Sequence, residues 1–583
     1  MIKIFKYLKW YEWLLLLLAL AVVGTQVWCN ISLPQCTLKI SNYFQGGNLS
    51  ETWEEMALTC LEMLGFTAGV VVCSIFASWL ASFVITRLLA RVRGEIFKKV
   101  NSFSAKEINK FSIPSLITRS TNDITQLQHV LTTMITLGFN APLTAIFAIV
   151  NIVTLSTQNG AQSLSWVNIV SVIAISIVVM VIIFTVVPKF KKIQQTTDEL
   201  NKVTRENLTG LKVVRANGAE KSQEEKFAKV NRKFAKIDLF IGKIMSIIEP
   251  SLTIIMQGTS LAIVWIVGYL AKTNPSTIAL MGAFTQYSTF IIMSFTSLSM
   301  LFMFVPRGII SGKRINEILD TPLSLVDGAG VLEYQAGTIE FQNVFFKYPD
   351  ADADVLENIS FKANKGETVA FIGSTGSGKS TLINLIPRFY DCTDGQILVG
   401  GHDIKEFTQK QLHDMIGYVP QKGILFSGSI KDNIKYGKED ASDNEIEKAI
   451  DISCSNFVYN FHNGLNHQIS QGGKNVSGGQ KQRLSIARAI VKNPEILIFD
   501  DSFSALDYKT DKIVRENLNK HYKDATKIIV AQRIGTIMNA DKIIVLNEGK
   551  MVGIGTHKQL LESCDVYREI ALSQLSKEEL ENE

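Results

Sequence analysis

The sequence predicts two kinds of structure in one chain: an α-helical membrane domain of six long transmembrane helices that extend into the cytoplasm, and an α/β domain built around a phosphate-binding loop. Three observations predict this. Six long apolar runs lie within the first 320 residues. Charge divides with them, residues 1–319 carrying 30 Lys+Arg against 17 Asp+Glu (+13) and residues 320–583 carrying 29 against 37 (−8). A glycine-rich stretch, Gly373-Ser374-Thr375-Gly376-Ser377-Gly378-Lys379-Ser380, fits GxxxxGK[ST] without a mismatch. The expected division is 1–319 membrane domain, 320–337 linker, 338–573 nucleotide-binding domain and 574–583 tail.

The membrane runs come first. At roughly Trp13–Leu33, Met63–Ala90, Leu131–Ser156, Leu164–Pro188, Pro250–Ala271 and Thr277–Val305, each is long enough for a bilayer core of about 30 Å at about 1.5 Å per helical residue. Charged residues are 19% of the chain, below the roughly 25% of an average soluble protein, and the mean hydropathy is +0.18. That composition excludes disordered, collagen-like and disulfide-scaffold classes. The seven cysteines form no CxxC pair, so neither a zinc ribbon nor a thioredoxin-type site is expected.

Loop charge sets the orientation. Three lysines precede the first run, eight basic residues lie in Arg87–Arg119, fourteen in Lys189–Lys243, and three follow the last run. These are 28 of the 30, with Lys39 and Lys272 opposite. Both termini and the second half are therefore expected in the cytoplasm, with the chain multi-pass in the cell membrane. A cleaved signal peptide at Trp13–Val23 would leave five spans and put the second half outside, against the charge rule. Ile2–Lys9, with Ile2, Phe5 and Leu8 every third residue, is expected on the inner surface. The two long inner connections hold apolar residues at helical spacing (Leu208, Leu211, Val214, Val230), so they are expected to be helices continuing out of the membrane.

The second half opens on β-rich Thr338–Phe346 and Thr368–Ile372. The glycine loop follows a strand (Val369–Ile372) and precedes a helix (Thr381–Ile386), the order its chemistry requires. Backbone N–H groups of the turn and helix start point at phosphate oxygens, Lys379 neutralises the β/γ phosphates, and the Ser380 hydroxyl binds Mg²⁺. Ile496-Leu497-Ile498-Phe499-Asp500 reads as a buried strand that delivers Asp500 to the Mg²⁺ shell.

A third element points to a family. Asn475-Val476-Ser477-Gly478-Gly479-Gln480 resembles the signature motif of ATP-binding cassette proteins. Around it, Tyr348 resembles the adenine-stacking aromatic, Gln421 the Q-loop glutamine, and Ser504-Ala505-Leu506-Asp507 the D-loop. The first half is similar to six-span ABC exporters of the multidrug type, on Thr118-Arg119-Ser120-Thr121-Asn122-Asp123 and on Glu206–Gly210 with Val213–Ala216. The resemblance implies ATP and Mg²⁺ as cofactors, with Gly373 to Thr381 on the phosphates and Ser380, Gln421 and Asp500 around the metal. It implies a half-transporter that dimerises head to tail, each ATP lying between one chain's phosphate loop and the other's signature. Short coupling helices are expected near Ser104–Phe111 and Lys212–Lys221.

The sequence departs from that family in one place above all. Where the family has a glutamate as general base, this chain has Asp501, one methylene shorter; a shift of about 1 Å can cost ~10²-fold in rate. Where it has a switch-loop histidine, this chain has Gln532, which cannot become a cation. Before the signature, Gln471-Gly472-Gly473 stands for the usual Glu-Arg-Gly. The first two changes fall on hydrolysis at the chain's own phosphate loop, while Ser477–Gln480 stays nearly intact. The expectation is one member of a heterodimer exporting amphipathic or hydrophobic compounds, with a degenerate site of its own. The partner chain would carry the glutamate and histidine. A homodimer with two slow sites, a lipid or peptide exporter, and a nucleotide-gated channel or regulatory subunit are the alternatives. Six spans exclude a soluble cassette protein acting on nucleic acid. Glu62 and Glu249, at span edges, are candidates for a cationic-substrate path, with a solvated or paired carboxylate as the other reading. Gln257, Phe284, Phe290, Phe295 and Met300 are candidates to line a cavity, with helix packing as their other role.

Overall fold

The computed structural model describes residues 2–45, 49–349 and 351–575. The chain divides into two compact units, one of residues 1–101 and 113–321, the other of residues 102–112 and 322–583.

The first unit is helical throughout. Among the described residues, six helices are long and apolar enough to cross a membrane. They are carried by α1 (Trp10–Gln45), α2 (Leu49–Asn101), α4 (Ile113–Ser120) running into α5 (Asn122–Gln158), α6 (Gln162–Thr209), α8 (Glu220–Leu270) and α9 (Leu280–Asp320). Prolines lie inside five of them, at Pro34, Pro142, Pro188, Pro250 and Pro306. Within packed membrane helices neighbours and hydroxyl side chains re-satisfy the backbone groups that proline frees. A core toward one end joins α1, α5, α6, α8 and α9 through Val27, Ile152, Leu164, Ile263 and the fully buried Phe284 and Tyr287. Buried polar pairs cross-link the same helices: Ser288 donates to Asn168 (2.5 Å), and the Ser171 and Thr259 hydroxyls meet at 2.6 Å. Phe284 is thus a packing residue, Glu62 pairs with Lys39 at 3.3 Å, and Glu249 is exposed.

Beyond the spans the helices continue. α6 and α8 run on as a hairpin, closed by α7 (Leu211–Ala216). The second short helix thus sits slightly before the expected Lys212–Lys221, because Asn217-Gly218, with Gly218 at φ +59°, ends it. The N-terminal segment is a 3₁₀ helix, Ile2–Tyr7. Three residues per turn explains the period of three in the sequence. The residue anchored in the protein is Ile4, fully buried, rather than Phe5 or Leu8.

The second unit contains α3 (Ala105–Phe111) and the α/β domain. Its strands are β1 (Ile339–Phe346), β2 (Leu356–Ala363), β3 (Thr368–Gly373), β4 (Asp394–Val399), β5 (His402–Asp403), β6 (Ile416–Val419), β7 (Gly428–Ser429), β8 (Gln468–Ile469), β9 (Ile496–Asp500), β10 (Thr526–Val530), β11 (Lys542–Asn547) and β12 (Lys550–Gly555). One sheet, β2-β1-β4-β5, is antiparallel. The larger, β12-β11-β3-β10-β9-β6, is parallel except for β12. Every residue of β9 and β10 is buried, the pattern of central strands covered on both faces. This explains why Ile496–Phe499 is a continuous apolar run instead of an alternation. Ligand chemistry in such sheets gathers at the carboxyl ends of parallel strands. Here those ends carry Gly373, Asp500 and Val530.

Candidate ATP site

The phosphate loop leaves β3 and enters α10 (Lys379–Leu385) through glycines at positive φ: Gly373 at +156°, Gly376 at +86° and Gly378 at +93°. Two are held by close neighbours. A Cβ on Gly373 would lie 2.0 Å from the Leu546 carbonyl oxygen, and one on Gly378 would lie 2.7 Å from the Leu356 side chain. Gly376 faces open space, and Ser374 and Thr375 are exposed with it. The loop is therefore pinned at both ends and bare at its crown. Ser377 is buried and Thr381 nearly so.

Lys379 lies inside this loop. Its ammonium donates to the carbonyls of Gly373 (2.8 Å) and Ser374 (2.7 Å) and to Ser377 Oγ (3.2 Å). Burial pushes its pKa down, with Asp501 and Asp500 acting in the opposite direction. A desolvated cation whose contacts are neutral oxygens is suited to an anion, and the polyphosphate of a nucleotide fits.

β9 delivers Asp500 as expected. Ser380 Oγ donates to Asp500 Oδ1 at 2.9 Å. Burial raises the Asp500 pKa, and neighbouring Asp501 adds to the rise. Cis oxygens on an octahedral ion with bonds of about 2.1 Å lie about 3 Å apart, so this oxygen pair fits Mg²⁺.

Asp501 follows at φ +45°, a left-handed conformation that turns the chain out of the strand. The residue is buried, and its Oδ2 accepts from two side-chain amides, Gln421 at 3.2 Å and Gln532 at 3.0 Å. The structure thus gathers Asp501, Gln421 and Gln532 on one oxygen, next to Asp500, Ser380 and Lys379. Tyr348 flanks the loop from outside β1. Its hydroxyl meets Thr381 Oγ1 at 3.0 Å, and its ring stands edge-on to Tyr390, centroids 5.3 Å apart.

The signature residues form a separate surface. Ser477 caps the helix Gly478–Ile490 in a reciprocal pair: Ser477 N donates to Gln480 Oε1 (2.9 Å), and Gln480 N donates to Ser477 Oγ (3.3 Å). Ser477 and Gly478 are exposed, while Gly479 abuts the Ala505 carbonyl. Among the described residues, no hydrogen bond joins Ser477–Gln480 to the phosphate loop of the same chain. Gln471–Gly473 ahead of them is a 3₁₀ turn with Gly472 at φ +70°. In the segment after Asp501, Ser504 Oγ donates to the Asp501 carbonyl at 2.8 Å. Asp507 caps the helix Tyr508–His521 through Thr510 N, an interaction that lowers its pKa.

Sequence reasoning missed Gln574, which it placed in the tail. Gln574 Nε2 donates to the Gln532 carbonyl (2.7 Å), and its Oε1 accepts from Ile534 N (2.9 Å), so it fixes both sides of the switch loop. A polar residue after a helix carries no sequence signal for such a contact. Residues 576–583 lie outside the described residues.

With this geometry in place, two family profiles match the chain: the ABC transporter transmembrane region over residues 14–295, and the ABC transporter profile over residues 356–504. An uncharacterized ABC transporter ATP-binding protein of Mycobacterium tuberculosis is 36% identical over 525 residues, 88% of each chain. This chain belongs to the ABC transporter family. A second uncharacterized family member, from Bacillus subtilis, is 32% identical over 99% of both chains. A Staphylococcus aureus relative described as a putative multidrug export ATP-binding/permease protein is 31% identical over 84% of this chain and 85% of its own. Among solved structures, a bacterial Atm1-family ABC exporter with ATP bound superposes with a TM-score of 0.80 at 25% identity, covering 97% of this chain and 99% of that one. The ABC transporter described here is therefore a multi-pass membrane protein of the six-span exporter type. It binds ATP, couples ATP hydrolysis to transport, and works as a dimer.

Proposed function

We propose that this ABC exporter chain is one half of a heterodimer that moves amphipathic or hydrophobic compounds outward, holding ATP in a slow site of its own and completing a fast site on a different partner. The observation that carries this reading is the surroundings of Asp501. A general base needs a free carboxylate within reach of water. Here the carboxylate is short, buried, and accepts two amide N–H groups on one oxygen. Gln532, at the switch position, supplies a neutral amide where a cation would stabilise the γ-phosphate. The binding parts are intact: Gly373–Gly378 present backbone N–H groups, Lys379 takes the β/γ phosphates, Tyr348 stacks on adenine, and Thr381 closes the loop's far side. Ser380, Asp500 and Gln421 hold Mg²⁺, which neutralises phosphate charge when bound.

Ser477, Gly478, Gly479 and Gln480 then serve the partner's ATP, across a contact where Ser504 and Asp507 face the other chain. Their exposure and self-contained capping support this: the lip is prepared without a ligand from its own chain. The multidrug description of the staphylococcal relative supports the substrate class. The basic side of the membrane unit supports cytoplasmic termini and ATPase domain.

The test is to purify the chain alone, and together with an ABC half-transporter that carries the glutamate and histidine, and to measure ATP turnover. The pair should exceed the single chain by at least ~10²-fold. Brisk turnover by the chain alone would reject the heterodimer and leave the homodimer.

A further inference from the structure

The first inner-loop helix, α3, is one of the segments by which the chain passes between its two units. It clusters with the ATPase unit, whereas α2 before it and α4 after it belong to the membrane unit. The chain crosses again where α9 ends at Asp320 and Pro322 begins the linker. Glu107, in the first turn of α3, is only 4% exposed although it is a carboxylate. Its Oε2 accepts from Ser104 N (2.8 Å) and Ser104 Oγ (2.6 Å), closing a capping box. Its other oxygen, Oε1, accepts from Ser324 N in the linker at 3.1 Å, and the Ser104 and Ser324 hydroxyls meet at 2.9 Å. These bonds hold its pKa below the ordinary glutamate value despite the opposing effect of burial.

A capping box needs one carboxylate oxygen. The second oxygen, spent on Ser324, adds nothing to α3 itself and is directed 217 residues along the chain. The membrane unit repeats the pairing between the same two stretches. Arg119 donates to the Arg314 carbonyl and to Glu317, both at 2.9 Å, and Ser311 donates to the buried Asp123 at 2.8 Å. In each unit, therefore, the loop that begins at Ser104 is bonded to the exit of the sixth span.

We propose that Glu107 is a positioning residue for coupling: it clamps the first inner-loop helix to the linker after the sixth span, so that both crossings between the units move together when ATP is bound. The clamp stays closed through the cycle. It differs from a simple docking contact in joining two segments of the chain's own crossings.

The test uses the full exporter in lipid vesicles, with its seven native cysteines replaced. Spin labels on unnatural amino acids at Asn42 and Asn274, two exposed outer positions, report the distance change on trapping with ATP and vanadate. Glu107→Gln keeps the size of the side chain but offers one acceptor oxygen and turns an NH₂ toward an N–H donor. The expected result is ATP turnover within about twofold of wild type, with the trapped-state distance shift reduced by at least half. Ser104→Cys with Ser324→Cys, oxidised to a disulfide, should retain the full shift. A full shift in Glu107→Gln, or a parallel fall in turnover and shift, overturns the proposal. So does loss of the shift in the disulfide form that a reductant restores, because the contact would then have to open.

Discussion

Two surfaces of the ATPase unit, the phosphate-loop side and the proposed signature lip, are built on different plans. The signature lip is complete in itself: Ser477 and Gln480 cap each other, Gly478 is bare, and Gly479 rests on Ala505. The phosphate-loop side is a network in which each group leans on another, Ser380 on Asp500, and Gln421 and Gln532 on Asp501. On the proposed reading, the self-capped surface presents backbone N–H groups to an ATP brought to it, while the network ties up Asp501 Oδ2 with two amides and blunts it as a proton acceptor. Loss of function should therefore be unequal when the two sides are damaged.

The largest effect is expected from Gly478→Asp. A Cβ there meets nothing within 4 Å, and the backbone is not left-handed, so the variant folds. On the proposed reading it places a carboxylate where the partner's phosphate approaches, and ATP turnover by the assembled exporter should fall by more than ~10²-fold. A drop below tenfold would mean that the lip serves no fast site.

Next comes Lys379→Ala, which leaves the loop backbone but removes the half-buried cation. Charge-assisted bonds of about 1.5–3 kcal/mol correspond to a weakening of roughly 10–100-fold in ATP binding to this chain. Nucleotide titration of the purified chain checks it. If the two sides differ as argued, turnover of the pair should fall less than with Gly478→Asp.

Much of this was legible in the sequence, and the reasons differ by region. Strand β9 and the glycine loop announce themselves because burial on both faces and positive φ restrict the residues allowed. The six spans are legible because lipid tolerates few alternatives to an apolar helix. The identity of Asp501 and Gln532 was readable, but not that both meet Gln421 on a single oxygen, since Gln421 and Gln532 approach from loops 111 residues apart in the chain. Gln574 and Glu107 were invisible for the same reason. Their partners, the Gln532 backbone and Ser324, are backbone groups or lone serines that carry no local pattern. Ile4 was missed because the period of three marks a face without saying which face is covered.

Asp500→Asn tests the cost of the network. The carboxyl pKa is raised by burial, so the folded state disfavours the ionised form, and that penalty is present at neutral pH. Asparagine keeps an acceptor for Ser380 and removes the charge. The variant should be more stable by about 1 kcal/mol, or about 2–4 °C in melting of the ATPase unit, near pH 7. The sign follows from linkage: the wild-type penalty is relieved as pH falls through the raised pKa, so the gain should shrink in acid and vanish once both states are protonated. Mg²⁺-dependent ATP binding should weaken in the same variant. Unchanged stability at pH 7 would show that Ser380 and Lys379 already compensate the buried charge.

The smallest effect is expected at the position that sequence comparison alone would call catalytic. Asp501→Asn preserves size and the left-handed turn, which asparagine tolerates well. With its amide oxygen at the Oδ2 position, asparagine still accepts from both glutamine amides. The network survives, and only the negative charge is lost. If this carboxylate were the working base, its removal would collapse turnover, because general-base catalysis contributes about 10²–10⁴-fold. If it is a ligand of two amides, turnover of the assembled pair should change less than about twofold, against collapse on neutralising the partner's glutamate. Equal collapse from both would place a full base in each cleft and erase the distinction between the two surfaces.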